Sequence, residues 1–270
     1  MPILKNPDDI QKMRAACQDA AKALDYITPF VKEGVTTGEL DRLVIDYIDN
    51  VLKVKSATIG YAPPGHTPYP ASICTSINHV ICHGIPGDRV LKNGDIMNID
   101  ITIIKDGWFG DTSRMFIIGE PSIQAKKLSE TAFECMWIGI EQVKPGNTLG
   151  DIGHAIQTHA HAQGFSVVRD YCGHGIGQVF HDEPMVLHYG KAGAGQVLQE
   201  GMTFTIEPMI NAGRYDTKVM KDGWTVVTRD RSLSAQWEHT LIVTADGYEV
   251  LTVSEHMRQP PAFVKGFKQS

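Results

Sequence analysis

Two runs dense in apolar and β-branched residues, Asp95 to Ile104 and Trp108 to Ile118, flank Lys105-Asp106-Gly107. An Asp-Gly step between two such runs is a strong signal for an antiparallel hairpin. Each run also carries an acid where the pattern asks for an apolar residue: Asp100 in Asn-Ile-Asp-Ile-Thr and Asp111 in Trp-Phe-Gly-Asp-Thr. Side chains alternate along a strand. A turn with an even number of residues pairs positions whose numbers sum to an odd value, as 100 and 111 do, so both aspartates project from one face. A turn at Lys105-Asp106 sets them directly opposite, and one at Asp106-Gly107 sets them diagonally adjacent. Either way the two carboxylates reach one shared place.

Two neighbouring carboxylates repel, and one of them would normally keep its proton. A divalent cation removes the conflict and makes the pairing favourable. The plainer alternative is that each aspartate caps turn backbone. Three further segments favour the cation. Met202-Thr-Phe-Thr-Ile-Glu207-Pro ends an alternating strand on a glutamate, and Gln236-Trp-Glu238-His-Thr-Leu-Ile-Val places another inside a strand that otherwise reads as core. Cys172-Gly-His174-Gly-Ile-Gly177 raises a histidine on a glycine-flanked turn. Four carboxylates balance two divalent ions, as in two-metal sites. Such a donor set suits Mn, Fe, Co or Zn rather than copper or iron–sulfur chemistry.

The remaining chain reads as helices and strands in alternating blocks. Residues 7 to 33 carry a helical apolar pattern begun by Asn6-Pro7, and Thr36 with Glu39 forms a capping box for a helix running to about Val54. Helices follow over about Ser122 to Lys144 and Thr148 to Gly164. The best later strands are Met202 to Ile206, Gly223 to Thr228 and Ser234 to Val243. Helices, strands, helices, strands describe two similar halves, about 1–120 and 121–255, of one α+β domain covering 1–270, with a tail from about 256 that is expected to fray. His154, His159 and His161 read as a solvated helix face, and Gly173-x-Gly175-x-Gly177 lacks the strand–turn–helix setting of a dinucleotide fingerprint.

With 270 residues, 42% hydrophobic and 21% charged, the chain has ordinary globular composition. A net charge of −6 without a basic cluster offers no nucleic-acid footprint. There is no apolar run of spanning length, and no export signal is evident. Five scattered cysteines, none in a C-x-x-C pair, suit free thiols in a reducing cytoplasm.

The ordered run Asn-Ile-Asp100-Ile-Thr, Asp111-Thr-Ser-Arg, Gly-His174-Gly-Ile-Gly, Phe-Thr-Ile-Glu207-Pro and Gln-Trp-Glu238-His-Thr closely resembles the type I methionine aminopeptidases, from about Asp8 to Val253. The resemblance implies the duplicated pita-bread fold, a curved antiparallel sheet with helices on its outer face. It further implies two divalent ions held by Asp100, Asp111, His174, Glu207 and Glu238, with Asp111 and Glu238 as bridges. Glu207 would be the general base in removing the initiator methionine from nascent chains whose second residue is small. By the same resemblance His83 contacts the peptide nitrogen and His181 stabilises oxygen charge. Tyr69, Cys74, Phe180 and Trp224 wall the methionine pocket, and Asn78, Val80 and Ser234 surround a monovalent cation. A cytoplasmic monomer that visits the ribosome transiently, independent of membrane and nucleic acid, is implied as well.

The chain departs from the family's commoner Gly-Tyr-x-Gly-Tyr-Pro at the longer Tyr61-to-Pro70 segment, where His66 stands near a usual tyrosine position. It carries neither a zinc-binding extension nor the large type II insertion, and so looks like the short bacterial form. Three rivals compete with this reading: a proline-specific aminopeptidase or prolidase, a metal-free binding protein, and a creatinase-like hydrolase. The first usually has an extra N-terminal domain, and the other two usually lose some of the five ligands, all of which stand here.

Overall fold

The computed structural model describes residues 2–267. Helix α1, Pro7–Ile27, starts where Asn6 accepts a hydrogen bond from the Asp8 amide and Pro7 occupies the first turn. Its stripe of Met13, Ala16, Cys17, Ala20 and Leu24 is buried against the hairpin formed by strands Ile96–Lys105 and Trp108–Ile117. The approach is close: a Cβ on Gly110 would lie 2.3 Å from the Ala16 carbonyl oxygen, so only glycine admits the helix there. Helix α2, Thr37–Asp46, has the expected Thr36/Glu39 capping box. It widens into a π-helical turn, Tyr47–Leu52, that closes on Lys53 in the left-handed region, two residues short of the expected end.

The hairpin turns at Asp106-Gly107, both at positive φ, as a two-residue turn of this twist requires. Lys105 therefore pairs with Trp108, Asp100 with Ser113 and Thr102 with Asp111. Of the two arrangements open from sequence, the diagonal one is realised.

The second half repeats the plan. Helices α3, Ile123–Ile140, and α4, Leu149–Ala162, are capped by Ser122 and by a Thr148/Asp151 box. They share a core with Phe204, Ile206 and Leu241 from the facing sheet. The antiparallel layer under the helices is divided into four ladders. The largest runs Tyr248–Val250, His239–Val243, Thr203–Ile206, Gly173–Gly175, Asp182–Val186 in spatial order.

Several features differ from the sequence reading. The run Ser234 to Val243 is two strands, Ser234–Gln236 and His239–Val243, in different ladders, because the chain leaves one sheet at Trp237-Glu238 and enters another. Residues 257–267 do not fray. Met257 is buried, Phe267 meets the Trp137 ring edge-on at 5.3 Å, and the Lys265 and Gly266 amides donate to Glu141 on α3. On α4, His159 is not simply solvated: its Nε2 lies 2.8 Å from Glu134 Oε2 across the α3–α4 contact.

Candidate metal centre and cavity

Each proposed ligand sits where a ladder ends, bulges or changes partner. Asp100 and Asp111 come from the hairpin, diagonal to one another. Glu207 follows strand Thr203–Ile206 and precedes Met209–Asn211, while Glu238 stands between Gln236 and His239. Here the chain has stepped out of one ladder, and an acid can turn inward. The Glu238 segment is fastened to the hairpin by Thr112 Oγ1 to the Glu238 carbonyl at 2.9 Å and Thr240 Oγ1 to the Asp111 carbonyl at 2.7 Å.

His174 lies in a short strand rather than on the expected turn, with a bulge after it. Its flanking glycines serve sheet packing. A Cβ on Gly173 would stand 2.4 Å from the Thr205 carbonyl oxygen, and one on Gly175 would stand 2.5 Å from that of Glu183.

These elements bring the five side chains together. Oxygens of Asp100, Asp111 and Glu238 lie within 4.8 Å of one another. His174 Nε2 is 3.5 Å from Asp111 Oδ2 and 3.7 Å from Glu207 Oε1. Supporting bonds fix several of them. Thr102 Oγ1 donates to Asp111 Oδ1 at 2.8 Å, Thr205 Oγ1 to Glu207 Oε1 at 2.7 Å, and Gln236 Nε2 to Glu207 Oε2 at 3.0 Å. The Glu207 amide, outside either ladder, donates to the buried His188 Nε2 at 3.1 Å.

The electrostatics are those of a cluster built for cations. Burial, then repulsion from Asp111, pushes the Asp100 and Glu238 carboxyls well above the usual range. Burial lifts Glu207 to about 7. At His174 burial works against protonation, yet bonding to Asp111 and the charges of Glu207 and Asp111 outweigh it and raise its pKa. Glu238 Oε2 is buried with no hydrogen-bond partner among the described residues, an acceptor left open in the middle of the cluster. Hard oxygen donors, one imidazole and an unused buried acceptor fit divalent metal ions.

The cluster floors a cavity of about 470 Å3. All five ligands line it, as do His83, His181, Tyr69, Cys74, Phe180 and Trp224. Its apolar end is a compact group of Tyr69, Cys74 and Trp224, with Tyr69 edge-on to Trp224 at 5.2 Å. Trp224 Nε1 donates to the Thr67 carbonyl, and His66 lies against the Trp224 ring at 5.2 Å, so the long 61–70 segment forms the rim on this side. His83 adopts φ 56°, an uncommon conformation for a non-glycine residue. Burial lowers His83 to about 4 and His181 to about 2, so both imidazoles are neutral at pH 7.

Asn78 and Ser234 also meet, outside this cavity. The Ser234 amide donates to the Asn78 carbonyl at 2.8 Å, and Ser234 Oγ is buried without a partner among the described residues. Val80 begins the neighbouring strand Val80–Cys82.

Four supporting residues escaped the sequence reading: Tyr61, Thr205, His188 and Gln236. Tyr61 Oη lies 2.6 Å from His181 Nδ1. None belongs to a spacing pattern of its own, although Thr205 and Gln236 lie within two residues of the two glutamates.

Comparison with known proteins agrees with this arrangement. The family model for metallopeptidase family M24 matches residues 11–245. The chain is 56% identical to the methionine aminopeptidase of Escherichia coli (strain K12) over 251 residues, 93% of each chain. It is 55% identical to that of Rickettsia prowazekii (strain Madrid E) over 255 residues, 94% of this chain and 96% of the relative. The crystal structure of methionine aminopeptidase from Rickettsia prowazekii superposes with a TM-score of 0.90 over 94% of this chain and all of that one, at 55% identity. The prolidase from Pyrococcus furiosus shares the fold at a TM-score of 0.71 and 23% identity, with 94% of this chain and 66% of that one covered.

Proposed function

The chain belongs to metallopeptidase family M24, and on that premise we propose that it is a methionyl aminopeptidase that removes the initiator methionine from nascent polypeptides with a small second residue. The observation that carries this reading is the cavity itself, which has a cation-binding acidic floor at one end and an apolar aromatic end of methionine size at the other.

Asp100, Asp111, His174, Glu207 and Glu238 would hold two divalent ions. Bound there, the ions supply Lewis acidity toward the scissile carbonyl and the attacking water. Glu207, held on both oxygens by Thr205 and Gln236, takes a proton from that water and passes it to the leaving amine. The Tyr61 hydroxyl donates to His181 Nδ1, which leaves the Nε2 proton for the oxygen on which charge develops. Neutral His83 contacts the peptide nitrogen. Tyr69, Cys74, Phe180 and Trp224 surround the flexible methionine thioether.

The donor chemistry accommodates Mn, Fe, Co or Zn. A monovalent cation at Asn78, Val80 and Ser234 would give the open Ser234 hydroxyl a partner. Two apolar clusters, one under each helix pair, support reading both halves as one domain. Among the described residues no helix is long and apolar enough to cross a membrane. The five free cysteines suit a cytoplasmic monomer that meets nascent chains at the ribosome.

The test is hydrolysis of Met-Ala-Ser against Ala-Pro-Ala by metal-stripped protein resupplied with each ion. Methionine release that requires an added ion, and is abolished in Glu207→Ala, is expected. Cleavage before proline would move the substrate, and no turnover with any ion would overturn the catalytic reading.

A further inference from the structure

Strand Asp182–Val186 ends the largest ladder: Gly173–Gly175 pairs with one of its edges, and no described strand pairs with the other. An open edge offers backbone N–H and C=O groups to any extended chain that approaches. Beside it lies a groove of about 350 Å3, walled by Glu183, Pro184 and Met185 on one side and by the 189–196 loop on the other. Consecutive strand residues line the groove, whereas a groove on a sheet face would be lined by alternate ones. It therefore follows the strand's edge. It is also continuous with the catalytic cavity, because Glu183 and Met185 line both.

We propose that this groove holds the substrate polypeptide beyond its second residue, extended and paired through its backbone with the Asp182–Val186 edge. The inference deepens the aminopeptidase reading and rests on it. An enzyme that trims initiator methionine meets unrelated sequences after the second position, so any grip there has to ignore side-chain identity. Pairing along a strand edge reads peptide groups alone. Met185, 62% exposed, brings a flexible thioether that adapts to different neighbours. The facing loop contributes Gly190, Ala194 and Gly195, which exclude little by shape. Pro184 removes one donor from the edge, which discourages pairing with a second copy, and leaves the strand's carbonyls in place.

The test compares Met-Ala-Ser with the same peptide extended by one to four residues, using ion-loaded enzyme. A rise in kcat/KM of roughly tenfold that levels off by the heptapeptide is expected, the scale of two or three net backbone hydrogen bonds. N-methylation of alternate amides from the fourth residue onward should remove the gain, with KM carrying the change. Ala194→Trp, which fills the groove outside the catalytic cavity, should remove it too. Equal kcat/KM for short and long peptides, or N-methylation without effect, would overturn the groove and leave the aminopeptidase standing. Failure to hydrolyse the tripeptide itself would instead overturn the aminopeptidase.

Discussion

Glu207 should make the metal-free protein less stable as pH rises from about 4.5 to 7. Burial lifts its carboxyl from the ordinary 4.5 to about 7, so across that window the folded chain keeps a proton that the unfolded chain has released. Stability falls wherever the folded state binds more protons. The contribution is absent below 4.5 and complete above 7. At about 1.4 kcal/mol for each pH unit between the two values, it comes to about 3 kcal/mol. Asp100 and Glu238, raised by burial and mutual repulsion, push the same way. They persist in a Glu207→Gln variant, so the difference between the two proteins isolates most of the Glu207 contribution. The assay is urea unfolding in chelator, followed by tryptophan fluorescence, at intervals from pH 5 to 8. The variant should gain on the wild type with rising pH and lead it by about 3 kcal/mol at pH 7.5. An added divalent ion should erase or invert that lead, since it takes the proton's place. Two curves that stay parallel across the range would refute the idea that this pocket holds a proton on Glu207.

Gly173→Ala would set a methyl 2.4 Å from the Thr205 carbonyl oxygen. Because backbone cannot yield cheaply, we expect about 1–3 kcal/mol of destabilisation and weaker divalent-ion binding by calorimetry, since His174 is the next residue. Tyr61→Phe removes the hydroxyl at His181 Nδ1 and should lower kcat roughly tenfold with KM little changed, a loss of orientation typical of a supporting bond. His188→Leu strands the Glu207 amide and should cost about 1–3 kcal/mol in urea unfolding, while His188→Gln, which keeps an acceptor, recovers part of it. Met257→Ala, which truncates a buried tail residue, should cost about 2 kcal/mol or more; no change there would mean the tail is not docked in solution.

What was legible in the sequence is what short-range physics dictates. The hairpin announced itself because Asp106-Gly107 supplies two residues tolerant of positive φ between alternating runs. The helix starts were readable because Asn6, Thr36, Ser122 and Thr148 each cap an otherwise orphaned amide. Glycine around His174 misled, since a missing Cβ permits both a turn and a close strand contact, and only Thr205 and Glu183 across the ladder decide between them. The break at Trp237-Glu238 was hidden because both flanking strands are apolar, and nothing local says that they serve different sheets. Tyr61 and His188 depend on contacts 120 and 19 residues away, so no window of sequence could have paired them with the site. The family resemblance found the ligands; the geometry adds the residues that hold them.

The two strand breaks carry a consequence for how such a chain can change in length. Glu207 and Glu238 are each gripped between strands already in register with neighbours on both sides. One residue inserted between Thr203 and Asn211, or between Ser234 and Val243, would turn every later side chain of that strand to the opposite face. The 61–70 segment, by contrast, is closed by backbone bonds between Gly60, Tyr61 and Tyr69 and can lengthen at its tip without moving either end. Insertions and deletions should therefore gather at the rim and leave the acid-bearing segments unaltered in count, even where their other residues are exchanged.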